Sequence, residues 1–575
     1  MNEAELTAML RADGELAVER LDHWARVAGE RTFFHYGEDD LTLSYAEFGA
    51  RSDAIAGNLA ALGIAKGDHV SVFSLNPLLC ALAMFGIWKA GAVYCPVNFG
   101  YTGRLLSYQL NDTAPSLVIT DPALLEALNG VAADLAQQPL VCVYQAPAGA
   151  HDHGSGPAAA VDGRLKGEVP WADLTRPAAR PDVQVAFDDP ANIIYTSGTT
   201  GPSKGVVQPH RWMAQYTFWG RKFLCQEDVI YNDLPMYHVG GAVFNVVRAA
   251  MVGCEVAVWN RFSPGAFWDR IHARGATTAV LLDVMIPWLT KAPESPRDRF
   301  NSLNKVHMQP LPESHAAVAR RFGLDFVTAG FGQTESGGPL CIFMAQTRQG
   351  EGTPPELYKG YSHEEVLGIV EASGIPVATP EQASITRVMG VPSPFFEAAV
   401  LDERDQVCAP GQVGQLALRP RLPALIMQEY LGKPEKTVAA WRNLWFHTGD
   451  AAVRHANGMF AFVDRLGDRI RVRGENLSSF QVEDVLAQHP AVELVTVFAV
   501  AAAEGDEDDI AAFATPAANA TLTEQALREF AEQNMPKYMR PRHIRIVSEI
   551  PRTATNKIEK YKLRAQLLAE LRSKA

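Results

Sequence analysis

The feature that most constrains the fold is an alternation of strand and helix patterns near residue 80. HVSVFS (69–74) predicts a buried strand, PLLCALAMFGIWKAG (77–91) a helix, and AVYCPV (92–97) a second strand. Strands joined through a helix in this way run parallel, with the helix packed on one face of the sheet. SLVITD (116–121) and PLVCVY (139–144) continue the pattern. The sequence therefore predicts an α/β protein with parallel sheets.

The chain is also long enough to need more than one core. It has 575 residues, so two or more domains are expected. Beyond about residue 466 the pattern changes to a short α+β unit, with helices predicted at 478–490 and 523–534 and strands between and after them. We place the domains at 1–465 and 467–575. The stretch 146–186 is rich in Ala, Gly, Pro and Asp and is predicted to be a surface loop.

Charge and cysteine usage exclude several classes of function. The formal net charge of −13 gives no general attraction to nucleic acid or to an anionic membrane. The longest apolar stretch, 77–88, is too short to cross a bilayer, and the charged first residues do not resemble a signal peptide. The seven cysteines are scattered without a CxxC pair, which favours buried free thiols and a cytoplasmic location.

A loop rich in Gly, Ser and Thr carries the first chemical signal. YTSGTTGPSKGV (195–206) follows an apolar strand and precedes a helix predicted at 210–219. Hydroxyls and backbone amides in such a loop can converge on an anion, and Lys204 adds a positive charge. The order of residues differs from a Walker A loop. From composition alone, a polyphosphate site and a flexible turn both remain open.

Six stretches in a fixed order make the signal specific. YTSGTTGPSKGV resembles the signature loop of the adenylate-forming superfamily, which includes acyl-CoA synthetases, peptide-synthetase adenylation domains and beetle luciferases. Five further stretches match the superfamily in order: LPMYHVGG (234–241), GFGQTESG (330–337), WFHTGD (445–450), DRLGDRIRVRGEN (464–476) and PRTATNKIEKYKLR (551–564). The resemblance implies a large N-terminal domain of doubly wound sheets plus a distorted barrel, followed by a small mobile α+β C-terminal domain.

The resemblance implies which residues hold ATP. The β- and γ-phosphates would be bound by the Gly/Ser/Thr loop, through Thr196, Ser197, Gly198, Thr199, Thr200 and Lys204. Phe331 stands where the family usually has Tyr and would stack on adenine, beside Gly332 and Gln333. Thr334 would contact the α-phosphate, and Glu335 would bind Mg²⁺ together with phosphate oxygens.

The ribose and the base would be held from other stretches. Asp450 would accept hydrogen bonds from both ribose hydroxyls, for which a carboxylate has enough lone pairs, and Arg465 would reach the ribose as well. The family's Gly-Gly-Ala-Pro stretch is replaced here by HMQPLPE (307–313). Gln309 and Pro310 are the corresponding contact residues.

The late stretches imply a two-step reaction. Lys557, preceded by Asn556 instead of the family's usual Gly, would bridge the acid and the α-phosphate during adenylation. In the second step Arg471, Arg473 and Gly474 would face the pantetheine arm of CoA. His238 would gate the passage between acid and thiol, although a lone histidine is also typical of a satisfied turn. The hinge between the domains would be at Gly467, with Asp468 as the alternative.

The resemblance is strongest to the carnitine/crotonobetaine-CoA ligase-like branch. It implies activation of a carboxylic acid with ATP and Mg²⁺, then transfer to CoA. HVGGAVFNVVRAA (238–250) contains no acidic residue, so an amino-acid substrate is disfavoured. Loading of a carrier-protein phosphopantetheine, release of the adenylate itself, and a non-catalytic nucleotide-binding scaffold are the alternatives.

Two structural questions remain open at this stage. The span between Glu335 and VMGVPSP (388–394) is longer than usual for the family. Its extra part, roughly 345–385, includes a predicted helix. This part would either form one wall of the substrate pocket or contact another subunit. A homodimer is compatible with the sequence.

Overall fold

The computed structural model describes residues 1–151, 153, 159–196, 203–282, 285–465, 469–472, 475–502, 507–551, 558 and 560–574. The chain forms two units, which comprise residues 1–99, 107–194 and 205–463 in the first, and residues 100–106, 195–204 and 464–575 in the second. Strands are numbered β1–β26 and helices α1–α18 in chain order.

A thirteen-stranded mixed sheet forms the larger part of the first unit. From edge to edge its strands are β17 (Phe396–Leu401), β18 (Val413–Pro420), β20 (Phe446–Arg454), β21 (Phe460–Arg465), β16 (Val388–Pro392), β15 (Gly337–Ala345), β14 (Phe326–Gln333), β13 (Lys305–Gln309), β12 (Thr278–Leu282), β10 (Val229–Asn232), β11 (Glu255–Val258), β1 (Thr32–Tyr36) and β2 (Leu41–Ser44). The neighbours from β14 through β13, β12, β10 and β11 to β1 pair in parallel. On the other side of β14 the pairs with β15 and β16 are antiparallel.

An eight-stranded sheet forms the second layer of strands. Its order is β19 (Glu429–Tyr430), β9 (Lys204–Pro209), β8 (Pro190–Thr196), β4 (Val93–Pro96), β3 (His69–Phe73), β5 (Leu117–Thr120), β6 (Leu140–Val143) and β7 (Gly167–Pro170). From β8 through β4, β3, β5 and β6 to β7, each strand pairs in parallel with the next. The predicted α/β fold with parallel sheets is confirmed.

The helices cover these sheets and link their parallel strands. In the first 463 residues they are α1 (Glu3–Arg11), α2 (Ala17–Val27), α3 (Tyr45–Ala61), α4 (Pro77–Lys89), α5 (Gly103–Thr113), α6 (Pro122–Val131), α7 (Trp171–Thr175), α8 (His210–Lys222), α9 (Arg248–Val252), α10 (Phe267–Arg274), α11 (Met285–Thr290), α12 (His315–Phe322), α13 (His363–Ala372), α14 (Pro380–Ala383) and α15 (Pro434–Ala440). A π-helical segment, Gly240–Val247, leads directly into α9.

Helix α4 shows why the opening sequence pattern folds as it does. The side chain of Asn76 caps the helix by accepting hydrogen bonds from the amides of Leu78 and Leu79, and Pro77 occupies the first helical position. Every residue of α4 is buried, which explains an apolar pattern without a polar face. Even Lys89 is buried, and its ammonium lies 2.7 Å from a carboxylate oxygen of Asp53.

The C-terminal part of the second unit is a smaller α+β arrangement. A two-stranded sheet joins β22 (Arg469–Val472) and β23 (Glu475–Ser478), and a three-stranded sheet has the order β24 (Val492–Ala501), β25 (Asp508–Pro516), β26 (His543–Ile546). Its helices are α16 (Ser479–Leu486), α17 (Glu524–Asn534) and α18 (Lys560–Lys574). The predicted fold class, with a smaller α+β part at the C-terminal end, is confirmed, and the boundary near residue 466 stays a prediction.

The interpretation of 146–186 as a loop is only partly correct. Strand β7 and helix α7 lie inside this stretch, and β7 adds to the edge of the eight-stranded sheet by pairing with β6. The short strand GEVP has weak strand propensity. It pairs because β6 leaves a parallel edge open beside it, and tertiary context outweighs such local preference.

The extra segment 345–385 contains α13 as predicted, and hydrogen bonds join it to the residues that precede β13 and β14. The carboxylate of Asp325 accepts hydrogen bonds from Thr347 and from the amide of Thr353. The side chain of Asn304 donates to the carbonyl of Lys359. Asn304 and Asp325 immediately precede β13 and β14, so these contacts lie at the amino ends of the two strands. Gln346, in the same segment, lies 3.2 Å from the imidazole of His315 at the start of α12, and both the pocket wall and the subunit contact stay predictions.

Two further expectations can be compared with the structure. All seven cysteines are free thiols, and six of them are buried, with Cys225 half-buried. Burial raises the pKa of Cys341 to about 12, which keeps that thiol protonated. Among the described residues, no helix combines the length and apolarity needed to cross a bilayer.

The buried imidazole of His210 makes stability depend on pH. Burial lowers its pKa from 6.5 to about 4, and its Nδ1 has no hydrogen-bond partner within the described part of the chain. The unfolded chain therefore binds more protons than the folded chain between pH 6.5 and 4. The stabilising contribution is present above pH 6.5 and is lost as the pH falls towards 4. Between pH 7 and pH 5 this group should lower the free energy of unfolding by about 2 kcal/mol.

His210→Gln should weaken this dependence. Urea unfolding at pH 7 and pH 5 measures the loss of stability in each protein, and the variant should lose less than the wild type. His272→Gln is the matched control, because His272 is exposed on α10. An equal loss in the wild type and His210→Gln would contradict the assignment.

Candidate nucleotide-binding site

Three of the motif stretches lie at one edge of the thirteen-stranded sheet. Strand β13 ends at Gln309, β14 ends at Gln333, and the chain leaving β10 reaches His238 six residues later. These strands belong to the parallel part of the sheet, so their carboxyl ends meet at the same edge. Ligand sites of open α/β sheets lie at such an edge. The sequence motifs converge here because of the strand order.

The turn between β14 and β15 is the centre of the arrangement. It contains Thr334, Glu335 and Ser336, with β14 and β15 paired antiparallel on either side. Gly337 has φ +65°, and a Cβ at this position would lie 2.4 Å from Oε1 of Gln215. Only glycine fits both the backbone conformation and the space. The last glycine of GFGQTESG is therefore explained by geometry alone.

Side chains from β9 and α8 fix the backbone of this turn. Gln208 donates a hydrogen bond from Nε2 to the carbonyl of Thr334 at 2.7 Å. The indole of Trp212 donates to the carbonyl of Glu335 at 3.3 Å, and the amide of Met427 donates to the same oxygen at 2.8 Å. With its carbonyls held, the turn presents the side chains of Thr334 and Glu335 in a fixed direction.

The carboxylate of Glu335 is oriented by a distant tyrosine. The hydroxyl of Tyr430, in β19, donates to Oε1 of Glu335 at 3.0 Å. Glu335 itself is half-buried. A carboxylate oxygen is the donor that Mg²⁺ prefers, and Mg²⁺ is typically bound by one or two carboxylates together with phosphate oxygens. The residues present therefore fit the predicted metal role of Glu335.

Asp450 and Gln333 form a hydrogen-bonded pair. Nε2 of Gln333 lies 2.6 Å from Oδ2 of Asp450 and 2.9 Å from the carbonyl of Thr448. Asp450 is only 3% exposed, and its amide donates to the hydroxyl of Thr448. The pair connects two motif stretches that are 117 residues apart in sequence. It places the predicted ribose ligand directly beside the turn that carries Thr334.

Three other predicted residues lie near the same edge. Phe331 is buried in the main hydrophobic cluster at the end of β14, and Gly332 beside it is exposed. Gln309 ends β13 and is half-buried, as is Pro310 after it. Within the described residues, Oε1 of Gln309 is buried without a partner. His238 is half-buried, and its Nδ1 accepts a long hydrogen bond from the amide of Gly240.

The structure describes only some of the residues that are predicted to bind phosphate or CoA. Thr196 ends β8, Lys204 begins β9, and both are half-buried. Arg471 lies in β22, where its amide donates to the carboxylate of Asp508. Arg465 ends β21 and only its backbone is described. The predicted residues that lie outside the described part of the chain are Ser197, Gly198, Thr199, Thr200, Gly467, Asp468, Arg473, Gly474 and Lys557.

Behind the turn, aromatic side chains extend into the first unit. Tyr216 on α8 packs against Trp212 with ring centroids 4.8 Å apart, and against Phe244 at 5.4 Å. Phe244 in turn packs against His307 at 5.0 Å. Burial lowers the pKa of His307 to about 3, with Arg248 adding to the effect, so its imidazole is neutral at pH 7. Aromatic rings therefore line this side of the turn.

The sequence did not predict the residues that hold the site together. Gln208, Gln215, Tyr430 and Thr448 each bond to the turn or to the Gln333–Asp450 pair. Gln208, Gln215 and Tyr430 share no motif with their partners, because the bonded residues are 95 to 126 residues apart, whereas Thr448 lies two residues before Asp450. Gln208 follows the signature loop closely and Thr448 lies inside WFHTGD. Those positions are the only local signals that could have identified them.

Curated proteins resemble this chain over most of its length. A curated relative named crotonobetaine/carnitine–CoA ligase from Citrobacter koseri is 27% identical over 94% of this chain and 98% of its own length. A protein of the same name from Salmonella typhimurium is also 27% identical, with the same coverage. Both alignments extend through the two units.

Solved structures share the fold. The o-succinylbenzoate CoA synthetase of Bacillus subtilis has a TM-score of 0.72 at 21% identity, covering 95% of this chain and 98% of that one. A malonyl-CoA ligase complex with methylmalonyl-CoA and AMP has a TM-score of 0.67 at 23% identity, covering 91% of this chain and 97% of that one. At these sequence identities, the similarity shows a shared fold.

Family models identify both parts of the chain. The model described as AMP-binding enzyme matches residues 21–431, which is well over half of the chain. The model described as AMP-binding enzyme C-terminal domain matches residues 481–557. The first match covers the turn with Thr334 and Glu335, and the second extends to Lys557. The chain belongs to the family of AMP-binding enzymes.

Proposed function

We propose that this enzyme activates a non-amino carboxylic acid with ATP and then transfers the acyl group to CoA. The observation that carries the proposal is the Gln333–Asp450 hydrogen bond, which brings two nucleotide-binding stretches together beside Thr334 and Glu335. The family match supports the adenylating step. Curated relatives named as CoA ligases support CoA as the acceptor.

The first step forms the acyl-adenylate. A carboxylate oxygen of the acid attacks the α-phosphorus of ATP, and the bond to pyrophosphate breaks. The acid is already an anion at pH 7, so no general base is needed, and the main barrier is the negative charge that accumulates. Thr334, Lys204 and Lys557 would contact the phosphates and the acid. When bound at Glu335, Mg²⁺ would neutralise part of the phosphate charge.

The second step releases AMP. The thiol sulfur of CoA attacks the acyl carbon, the bond to the adenylate oxygen breaks, and the thiol proton is lost. In the proposal Arg471, Arg473 and Gly474 accompany the pantetheine arm, and His238 controls its entry. Residues 467–575 would change orientation between the steps about Gly467 or Asp468. Glycine can absorb a large change of φ and ψ, which supports Gly467.

The substrate class follows from charge as well as from relatives. HVGGAVFNVVRAA (238–250) forms the π-helical segment and the start of α9, and it has no carboxylate to bind an α-ammonium group.

The acceptor is free CoA in this proposal, with a carrier-protein pantetheine as the competing acceptor. The location is cytoplasmic.

The acceptor and the catalytic lysine can be tested together. Purified protein should release AMP and pyrophosphate with ATP, Mg²⁺, a suitable acid and CoA, measured across a panel of aliphatic, aryl and steroidal acids. Lys557→Ala should lose adenylate formation by roughly 100-fold or more while still binding ATP. Lys562→Ala, an exposed neighbour, is the matched control and should behave as the wild type.

Three results would contradict the proposal. Turnover only with a carrier protein would assign the alternative acceptor. An adenylate that accumulates with either acceptor would show that the enzyme stops after the first step. ATP binding without turnover of any acid would favour a nucleotide-binding scaffold.

A matched pair of variants tests the metal role of Glu335. Glu335→Gln keeps an oxygen that can accept from Tyr430, but it removes the charge. We expect an adenylation rate lower by about 100-fold or more and a higher Mg²⁺ concentration for half-maximal rate. Tyr430→Phe keeps the charge and removes one hydrogen bond worth about 1 kcal/mol, so the rate should fall about tenfold or less. Equal effects of the two variants would argue against metal binding by Glu335.

Asp450 can be tested with a nucleotide that lacks one hydroxyl. The wild type should prefer ATP over 2′-deoxy-ATP by about 10-fold or more in kcat/KM, because the deoxy analogue leaves a buried carboxylate oxygen without its partner. Asp450→Ala should bind both nucleotides weakly and discriminate little between them. Discrimination that persists in Asp450→Ala would place the ribose elsewhere.

A further inference from the structure

Arg248 is a buried cation that has no counter-ion among the residues that the structure describes. The side chain follows the π-helical segment at the start of α9, and the residue is 2% exposed. Its nitrogens donate to two neutral oxygens, the carbonyl of Gly220 at 3.5 Å and Oδ1 of Asn245 at 3.2 Å. In the described residues Nε has no partner, and no carboxylate lies within 4.0 Å of the guanidinium.

The other buried cations of the first unit are paired. Lys89 lies 2.7 Å from Asp53, and Lys305 lies 2.8 Å from Asp228. Arg211 is bound to Glu15, and Arg221 on α8 lies 3.5 Å from Asp13. Each pair satisfies the rule that a buried charge needs an opposite charge or a full set of hydrogen bonds. Arg248 is the exception among the described residues.

The guanidinium keeps its charge at neutral pH. Burial lowers the pKa of Arg248 to about 10, still well above 7. The carboxylate of Asp228, which acts on it from a distance, already accepts from Lys305 and Thr277. The nearest large group is the ring of Phe244, whose centroid lies 4.3 Å from the guanidinium carbon. An uncompensated buried cation costs several kcal/mol, so a folding role does not explain it.

The position of Arg248 connects it to the nucleotide site. A Cβ on Gly338, in β15, would lie 3.5 Å from the ring of Tyr216, which packs against Phe244. The ring of Tyr216 lies next to the turn. Phe244 therefore lies between this ring and the guanidinium of Arg248. It also belongs to an apolar cluster with Leu234, Val280 and Met285. Apolar side chains thus lie between the turn and a buried positive charge.

We propose that Arg248 binds the second carboxylate of a dicarboxylic acid whose first carboxylate is the one adenylated. The hydrocarbon between the two groups packs against Phe244 and the apolar cluster. The inference rests on the proposed function and narrows its substrate class. It also separates this enzyme from relatives named for carnitine and crotonobetaine. A quaternary ammonium group beside Arg248 would be repelled.

The experiment compares acids that differ only in the charge of the far end. Succinate, glutarate and adipate are matched with their monoamides and with a trimethylammonium acid of similar length, and kcat/KM is measured from AMP release. The wild type should prefer the best diacid over its monoamide by about 30-fold or more, as expected for a buried charge pair. Arg248→Met should remove this preference and leave kcat/KM for the monoamide within about threefold of the wild-type value. Arg248→Lys should keep part of the preference.

Stability separates a binding role from a structural role. Arg248→Met removes an unpaired charge and should leave the melting temperature unchanged or raise it. Arg221→Met is the matched control: Arg221 is equally buried, its pKa is also lowered to about 10 by burial, and its loss breaks the ion pair with Asp13 and the hydrogen bonds to the carbonyls of Ala214 and Leu10. The melting temperature of Arg221→Met should therefore fall by several degrees. A diacid should raise the melting temperature of the wild type more than that of Arg248→Met.

The outcomes distinguish this inference from the proposed function. An unfolded Arg248→Met, an unchanged diacid preference in that variant, or a wild type that prefers monoamides or cationic acids would overturn the role of Arg248. An enzyme that adenylates monoacids only would do the same while leaving the proposed function intact. If no acid at all is adenylated, the proposed function fails, and diacid-dependent thermal stabilisation alone then decides the role of Arg248.

Discussion

The parallel pairing of β10, β12, β13 and β14 is the constraint on which the site depends. Parallel strands bring all their carboxyl ends to one edge, so residues from distant stretches become neighbours there. The switch to an antiparallel pair at β15 then turns the chain back at this edge. Thr334 and Glu335 occupy that turn. A crossover instead of a turn after β14 would carry both side chains away from Gln309 and His238.

A layer of hydrogen bonds converts this edge into a rigid site. The turn after β14 is fixed from the eight-stranded sheet by Gln208 in β9 and by Tyr430 in β19, and from the thirteen-stranded sheet by Asp450 in β20. Two sheets therefore fix one turn. Polar groups held in this way are already oriented before a substrate arrives, which is the main source of electrostatic stabilisation in enzymes. In the proposed function, the site would stabilise phosphate charge without reorganising.

The substrate side shows how a shared fold acquires its own selectivity. The family match and the relatives describe a reaction, whereas in our proposal the side chains behind the turn select the acid. Here those side chains are mostly aromatic or aliphatic, with one buried guanidinium among them. A buried charge discriminates strongly between ligands because the wrong ligand leaves it unpaired. A single position such as 248 can therefore distinguish enzymes that share every nucleotide-binding motif.

The sequence by itself determined the class of fold, the order of the motifs and most helices and strands that have strong local patterns. The uniformly apolar run of α4 and the amphipathic α17 each follow from local chemistry. The structure alone decided that β7 and α7 form within an apparent loop, that Tyr430 orients Glu335, and that Gln333 meets Asp450. It also showed that Arg248 is buried without a carboxylate. Residue patterns encode periodicity within an element, but the partner of a side chain depends on which distant segments the sheets bring together.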